Sequence, residues 1–173
     1  TIQYVGYGYL AQFLLEHLHA VSSKSSTSNI DVHCTYRTVA PELPFEITTH
    51  RMDLKDSNSI ASTISTVRPR VVINCAAMTS LAACASNPEE ALEVNAPSRL
   101  VEELSNLECP PLLVHLSTDQ VYSGEGAPYD DSEPSELDPI NPYGDSKKAC
   151  EELLRASTLR SILLRSSNIL GPP

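Results

Sequence analysis

A chain of 173 residues, 41% hydrophobic and 20% charged, is long enough for one well-cored domain, and its composition excludes disorder as a description of the whole. No stretch approaches the roughly 18–20 apolar residues of a membrane helix; the richest, Val71–Met78, is far too short, so no membrane association is expected. Twelve basic against 22 acidic residues give a net charge of −10, which excludes a general nucleic-acid binder but not one small phosphate ligand held by backbone dipoles.

Apolar and amphipathic runs alternate from end to end. Ile2–Gly6 reads as a short strand, followed by a helix over Leu10–Ala20 with apolar residues at Leu10, Phe13, Leu14 and Leu18. Ser22–Asn29 is a polar, Ser-rich connector. Ile30–Tyr36 is a second strand, Pro41 and Pro44 mark a loop, and Ile47–Met52 is a third strand. A helix over Ser57–Val67 takes Asp56 as its N-cap. Val71–Ala77 is a continuous apolar strand of the kind buried on both faces of a parallel sheet. Pro88–Leu107 reads as one long helix and Leu112–Ser117 as another buried strand. Gly124–Pro142 is a long acidic loop; a helix over Ser146–Ala156, starting near Pro142, and a strand over Ser161–Leu164 close the series. The alternation predicts an α/β fold, a Rossmann-type doubly wound parallel sheet with helices on both faces, filling residues 1–173 as one domain.

Five scattered cysteines, Cys34, Cys75, Cys84, Cys109 and Cys150, form no Cys-x-x-Cys pair and read as reduced thiols of a cytoplasmic protein. The histidines show no ligand spacing, so no metal is expected, and the first residues carry no basic-then-apolar leader.

In such a fold the first strand-to-helix turn usually holds a phosphate. Here it is Gly6-Tyr7-Gly8-Tyr9-Leu10-Ala11: Gly6 permits the tight turn, Gly8 lets backbone approach a pyrophosphate, and Ala11 is small enough for close helix packing. The second strand ends in Thr35-Tyr36-Arg37-Thr38, without the carboxylate that would accept from an adenosine ribose. Arg37 is the expected partner of a 2′-phosphate, which favours NADP(H) over NAD(H).

Tyr143 and Lys147 lie four residues apart on a predicted helix and so share one face. A phenol is a poor acid–base catalyst at neutral pH unless a cation favours its phenolate, and Lys147 supplies one. Thr118 ends the fifth strand at the same sheet edge, where its hydroxyl can hold a substrate carbonyl while Tyr143 delivers a proton.

With Asp53-Leu54, Asn74-Cys75-Ala76-Ala77, Val94-Asn95, Ser117-Thr118-Asp119-x-Val121-Tyr122, Asn141-Pro142-Tyr143-Gly144-x-Ser146-Lys147 and Leu164 to Pro172, these segments run in order along nearly the whole chain. The chain resembles the extended short-chain dehydrogenase/reductases, and within them the dTDP-4-dehydrorhamnose reductases and the methionine adenosyltransferase regulatory β subunits. The resemblance implies that Tyr9 and Leu10 contribute to the cofactor turn, that Asp53 and Leu54 flank the adenine, and that Ala76 and Ala77 line the cofactor path. It implies that Asn95 supports the catalytic lysine at the cofactor, and that Asp119, Ser166, Ser167 and Asn168 approach the nicotinamide and substrate. One departure is that the extended-class glycine pattern would fall at positions 5, 8 and 11, where this chain has Val5, Gly8 and Ala11. The other is that family members continue past Gly171-Pro172 into a smaller substrate lobe, which is expected to be largely missing here, leaving the isolated fragment with little or no activity.

Two functions follow from the resemblance. One is an NADPH-dependent reductase of a keto group on a nucleotide-linked deoxysugar; the other is a non-catalytic NADP-binding regulatory subunit docked on an enzyme partner. An epimerase or dehydratase on the same core is a third. A homodimer is compatible with each.

Overall fold

Each apolar run becomes a strand, and the strands pair side by side in parallel. The structure is a computed structural model that describes residues 1–24, 30–125, 127–129 and 137–169. In chain order the elements are β1 (Ile2–Val5), α1 (Tyr9–Lys24), β2 (Val32–Tyr36), β3 (Thr48–Arg51), α2 (Ser57–Val67), β4 (Val71–Asn74), α3 (Leu81–Ser86), α4 (Pro88–Asn95), α5 (Ser98–Ser105), β5 (Leu112–Thr118), a 3₁₀ turn (Asp119–Val121), α6 (Pro142–Ala156) and β6 (Ser161–Ser166). The sheet order is β3-β2-β1-β4-β5-β6, every pairing parallel. This is the Rossmann-type doubly wound sheet. The order reverses between β1 and β4, and at that switch point the carboxyl ends of the strands open a crevice.

Alternation along β1 divides the core between the two faces. Val5 joins Leu54, Ile60, Ile64, Val72, Leu100, Leu104, Leu113 and Leu154 beneath α2, α5 and α6, whereas Tyr4 joins Leu15 and Cys34 beneath α1. The buried stripe of α1 runs through Ala11 and Leu15 and turns Phe13 outward, a slight rotation from the expected Leu10-Phe13-Leu14-Leu18 face. Phe13 instead meets Tyr9 edge to face, ring centroids 5.0 Å apart. In β4, Val72 and Asn74 are buried but Val71 and Ile73 only partly, so burial is complete on one face alone.

Capping explains where α2 begins and ends. Asp56 accepts from the Asn58 N–H at 2.9 Å, an interaction worth about 1 kcal/mol. At the other end Arg68 turns left-handed (φ 47°) and its N–H donates to the Ile64 carbonyl. The long helix expected over Pro88–Leu107 is instead two, because Pro97 has no N–H to offer the ladder and its ring collides with the preceding turn. A further helix, α3, precedes them, capped by Ser80, whose hydroxyl accepts from the Ala83 N–H at 3.2 Å. Helix α1 runs on through Lys24, into the segment expected to be a connector, of which residues 25–29 lie outside the described set. Of the expected acidic loop, residues 126 and 130–136 also lie outside it. Pro142 is already the first residue of α6, with its missing N–H at a position that needs none.

Candidate cofactor cleft and active site

The first turn leaves β1 at Gly6 with φ +85°, and a Cβ there would stand 2.8 Å from the Cα of Ala76. Only glycine lets β1 and the loop after β4 approach so closely. Gly6 is tied to β2 by its N–H, which donates to the Thr35 hydroxyl at 3.2 Å. At Gly8 the situation is opposite: a Cβ would meet nothing within 4 Å, so the space in front of it is room that the protein itself does not fill. Helix α1 starts at the next residue with no acidic side chain in its first turn, and the partial positive charge of its N-terminus faces that space. A phosphate fits this cradle.

Two cavities of about 430 Å³ each flank the turn and share Gly8, Cys75, Ala76 and Ala77 as a common wall. The first reaches outward past Gly6, Arg37, Asp53 and Leu54. Leu54 is buried at its floor, and the Asp53 carboxylate accepts from the Lys55 N–H at 3.0 Å, which turns the chain from β3 towards α2. Arg37 is exposed at the end of β2, and among the described residues its guanidinium forms no ion pair. Arg51, at the matching end of β3, donates from Nε to the Arg37 carbonyl at 3.3 Å and brings a second positive charge to this corner. Arg51 was not singled out from the sequence, since only the register of β3 against β2, which sets it opposite Tyr36, brings it to Arg37.

The second cavity is lined by Tyr9, Leu10, Thr118, Gln120, Tyr143, Lys147, Ser166, Ser167 and Asn168, together with the shared wall. Thr118, Tyr143 and Lys147 come from β5 and α6 to one space. Thr118 Oγ1 donates to the Asp119 carboxylate at 3.1 Å and accepts from the Gln120 N–H at 3.2 Å. Asp119 itself is exposed and lines neither cavity. The β5 turn is clamped to α6 by Asn141, which caps the helix by accepting from the Gly144 N–H at 2.9 Å and donates to Gln120 Oε1 at 3.0 Å. These two residues were not singled out beforehand, although an Asn immediately before a helix-starting Pro is a readable cap.

Burial pushes the Tyr143 hydroxyl above the ordinary phenol range, and the Thr118 hydroxyl works against that rise. Lys147, expected to tune the phenol, is not among the causes of this shift, and Tyr143 is held as a phenol. Lys147 is 2% exposed, and burial lowers its ammonium to about 8, against the opposing pull of Cys150, Glu151 and Cys75. Its Nζ lies 3.3 Å from Nε2 of His115, a neighbour on β5. His115 Nδ1 lies 3.1 Å from Asn74 Nδ2, and Asn74 Oδ1 accepts from the Ala76 N–H at 3.1 Å.

Asn95 was expected at the cofactor, yet it is fully buried and lines neither cavity. Its amide brackets Met78, accepting from the N–H at 2.7 Å and donating to the carbonyl at 3.0 Å, and it donates to Ser146 Oγ at 2.8 Å. Ser146 in turn donates to the Tyr143 carbonyl at 2.7 Å. Asn95 thus positions the loop after β4 and the first turn of α6 from behind. A second buried support is Glu151, which accepts from Ser117 at 2.6 Å, Arg155 at 2.9 Å and both Nε (2.9 Å) and Nη2 (2.6 Å) of Arg165. Burial alone would raise its carboxyl, but Arg165, Ser117 and Arg155 outweigh it and hold the group below the usual range. Arg165 also donates to the Tyr122 hydroxyl, so α6, β6 and the segment after β5 meet at one carboxylate.

A glycine cradle, a divided cleft and a Thr-Tyr-Lys convergence are the features by which this chain can be compared with others. The RmlD substrate binding domain profile matches residues 17–172. The chain belongs to that family. It is 31% identical over 117 residues to dTDP-4-dehydrorhamnose reductase of Escherichia coli, covering 66% of this chain and 38% of that protein. It is 29% identical over 143 residues to methionine adenosyltransferase 2 subunit beta of Rattus norvegicus, covering 81% and 40%. The solved structure of a hypothetical dTDP-4-dehydrorhamnose reductase from Sulfolobus tokodaii superposes with a TM-score of 0.72 at 28% identity, covering 95% of this chain and 55% of that one. The chain spans less than half the length of these two curated relatives. Among the described residues no helix is long and apolar enough to cross a membrane.

Proposed function

We propose that residues 1–173 form the nucleotide-binding domain of an NADPH-dependent reductase that acts on the keto group of a nucleotide-linked deoxysugar, in the manner of the dTDP-4-dehydrorhamnose reductases. The observation that carries this reading is the meeting of Thr118, Tyr143 and Lys147 in a cavity that shares Gly8 as a wall with the cavity past Gly6. Gly8 and the N-terminus of α1 would hold the pyrophosphate, Arg37, Asp53 and Leu54 the adenine end, and Ala76, Ala77 and Asn168 the nicotinamide end, as their places along the two cavities allow. The bound cofactor supplies a hydride to the carbonyl carbon. Thr118 holds the carbonyl oxygen in place, Tyr143 gives it a proton, and Lys147 holds the ribose hydroxyls. Five free thiols favour a reducing, cytoplasmic compartment.

Arg37, with Arg51 beside it, favours the 2′-phosphate of NADPH. Arg37→Gln is expected to weaken NADPH binding roughly 10–100-fold, the worth of a charge-assisted contact, and to leave NADH binding nearly unchanged. Titration of each nucleotide, followed by nicotinamide fluorescence, measures both. Equal affinity of the unaltered protein for NADPH and NADH would sink the assignment of Arg37.

The likeness to the rat β subunit supports a second reading, a regulatory subunit that binds the nucleotide without turnover. Full-length protein given dTDP-4-dehydrorhamnose and NADPH separates the two. Oxidation of NADPH with formation of the reduced sugar supports the reductase; no turnover, together with co-purification of a methionine adenosyltransferase, supports the regulatory subunit.

A further inference from the structure

Behind Lys147 the polar contacts run in one direction. The Ala76 N–H donates to Asn74 Oδ1, which fixes the amide so that its NH₂ group points at His115 Nδ1. An amide NH₂ only donates, so Nδ1 is a bare acceptor. A neutral imidazole then carries its proton on Nε2, the nitrogen 3.3 Å from Lys147 Nζ. An N–H cannot accept from an ammonium group. It can donate to an amine, which has a lone pair. Asn74 and His115 are each 1% exposed, so water does not offer the imidazole an alternative partner, and Lys147, which lines the cleft, is itself only 2% exposed.

We propose that His115, oriented by Asn74, is a positioning residue that biases Lys147 towards its neutral amine form. This rests on the reading of Lys147 as part of the reductase site. Its consequence there is that Lys147 titrates close to the working pH, taking up and returning a proton, where an ordinary lysine would be a fixed cation. Burial favours the same direction for both groups, His115 being held neutral with a value near 3. The other titratable groups facing Lys147 are Tyr143, Cys150 and Glu151 of its own helix and Cys75 after β4; Cys150, Glu151 and Cys75 all act to keep the ammonium. His115 is the neighbour whose hydrogen bonding opposes them.

The test is nitrogen NMR on the full-length protein without nucleotide, so that its outcome is independent of binding or turnover. In the unaltered protein at neutral pH, the His115 ring is expected to carry its proton on Nε2 with Nδ1 bare, and the Lys147 Nζ midpoint to lie well below the ordinary lysine range. In His115→Gln, an amide oxygen becomes available to the ammonium, and the midpoint is expected to rise by roughly one unit or more. A purely structural His115 would leave the midpoint where it was. An unchanged midpoint overturns the proposal. So does a proton on Nδ1 in the unaltered protein, a result that stands even if the variant does not fold.

Discussion

Tyr143→Phe is expected to lower turnover of a nucleotide-linked 4-keto sugar by about 10²–10⁴-fold, the range of a positioned general acid. NADPH affinity is expected to stay within about threefold, because the ring that packs in the cleft remains. Protonation state decides the outcome. The group that must donate to the carbonyl oxygen has to be a phenol at the start of the reaction, and burial keeps Tyr143 in that form. Thr118, which counteracts that rise, is the hydroxyl placed to share the substrate oxygen. Phenylalanine keeps the shape and removes only the proton. Steady-state NADPH oxidation by the full-length protein, beside a nucleotide titration, gives both quantities. Unimpaired turnover in Tyr143→Phe would remove the tyrosine from the mechanism.

Gly144→Ala is expected to cost about 2–3 kcal/mol of folding stability, a fall of roughly 5–10 °C in Tm, and to depress turnover as well. A Cβ at Gly144 would lie 2.3 Å from the Gln120 carbonyl oxygen and 2.8 Å from Pro139 Cβ. The first of these is backbone and cannot swing aside. The start of α6 must retreat from the turn after β5, and that separation is the one that sets Tyr143 against Thr118. Gly8→Ala is the control, since its Cβ meets nothing and its expected effect is on nucleotide binding with Tm unchanged. Thermal unfolding of both variants beside the parent distinguishes the cases; a Gly144→Ala protein with parental Tm would show that the two segments can part freely.

Much of this arrangement was readable from the chain. Parallel pairing and the gathering of Gly6, Gly8, Arg37, Thr118, Tyr143 and Lys147 at one end of the sheet follow from the alternation of strands and helices, because parallel strands put their carboxyl ends together. Short-range rules served well where the partner is local, as with Asp56 capping α2. They served less well where one residue overrides a period: Pro97 divided a stretch whose apolar spacing looked continuous. What could not be read was the buried polar framework. Asn95 was expected to support the catalytic lysine at the cofactor, but its partners, Met78 and Ser146, lie 17 and 51 residues away in sequence and could not be named from it. His115 sits in a run that otherwise looks like ordinary buried strand, and only the register of β5 against β4 brings Asn74 beside it.

The division of the core between the two faces has a consequence for exchange kinetics. One face of the sheet is sealed by α2, α5 and α6 over a long list of aliphatic side chains, while the cluster on the other, beneath α1, is built on Tyr4, Leu15 and Cys34 and otherwise on side chains that are only partly buried. At the β3 edge, Thr48 and Arg51 are exposed and the two residues between them only half-buried. Local opening costs least where the fewest apolar contacts are broken. Amide protons of β2, β3 and α1 are therefore expected to exchange well before those of β4, β5 and α6 in a hydrogen-exchange measurement. The Arg37 end of the cleft sits on the part of the molecule that opens readily, and the Thr118–Tyr143–Lys147 end on the part that opens last, so a nucleotide anchored at both ends slows exchange chiefly at the first.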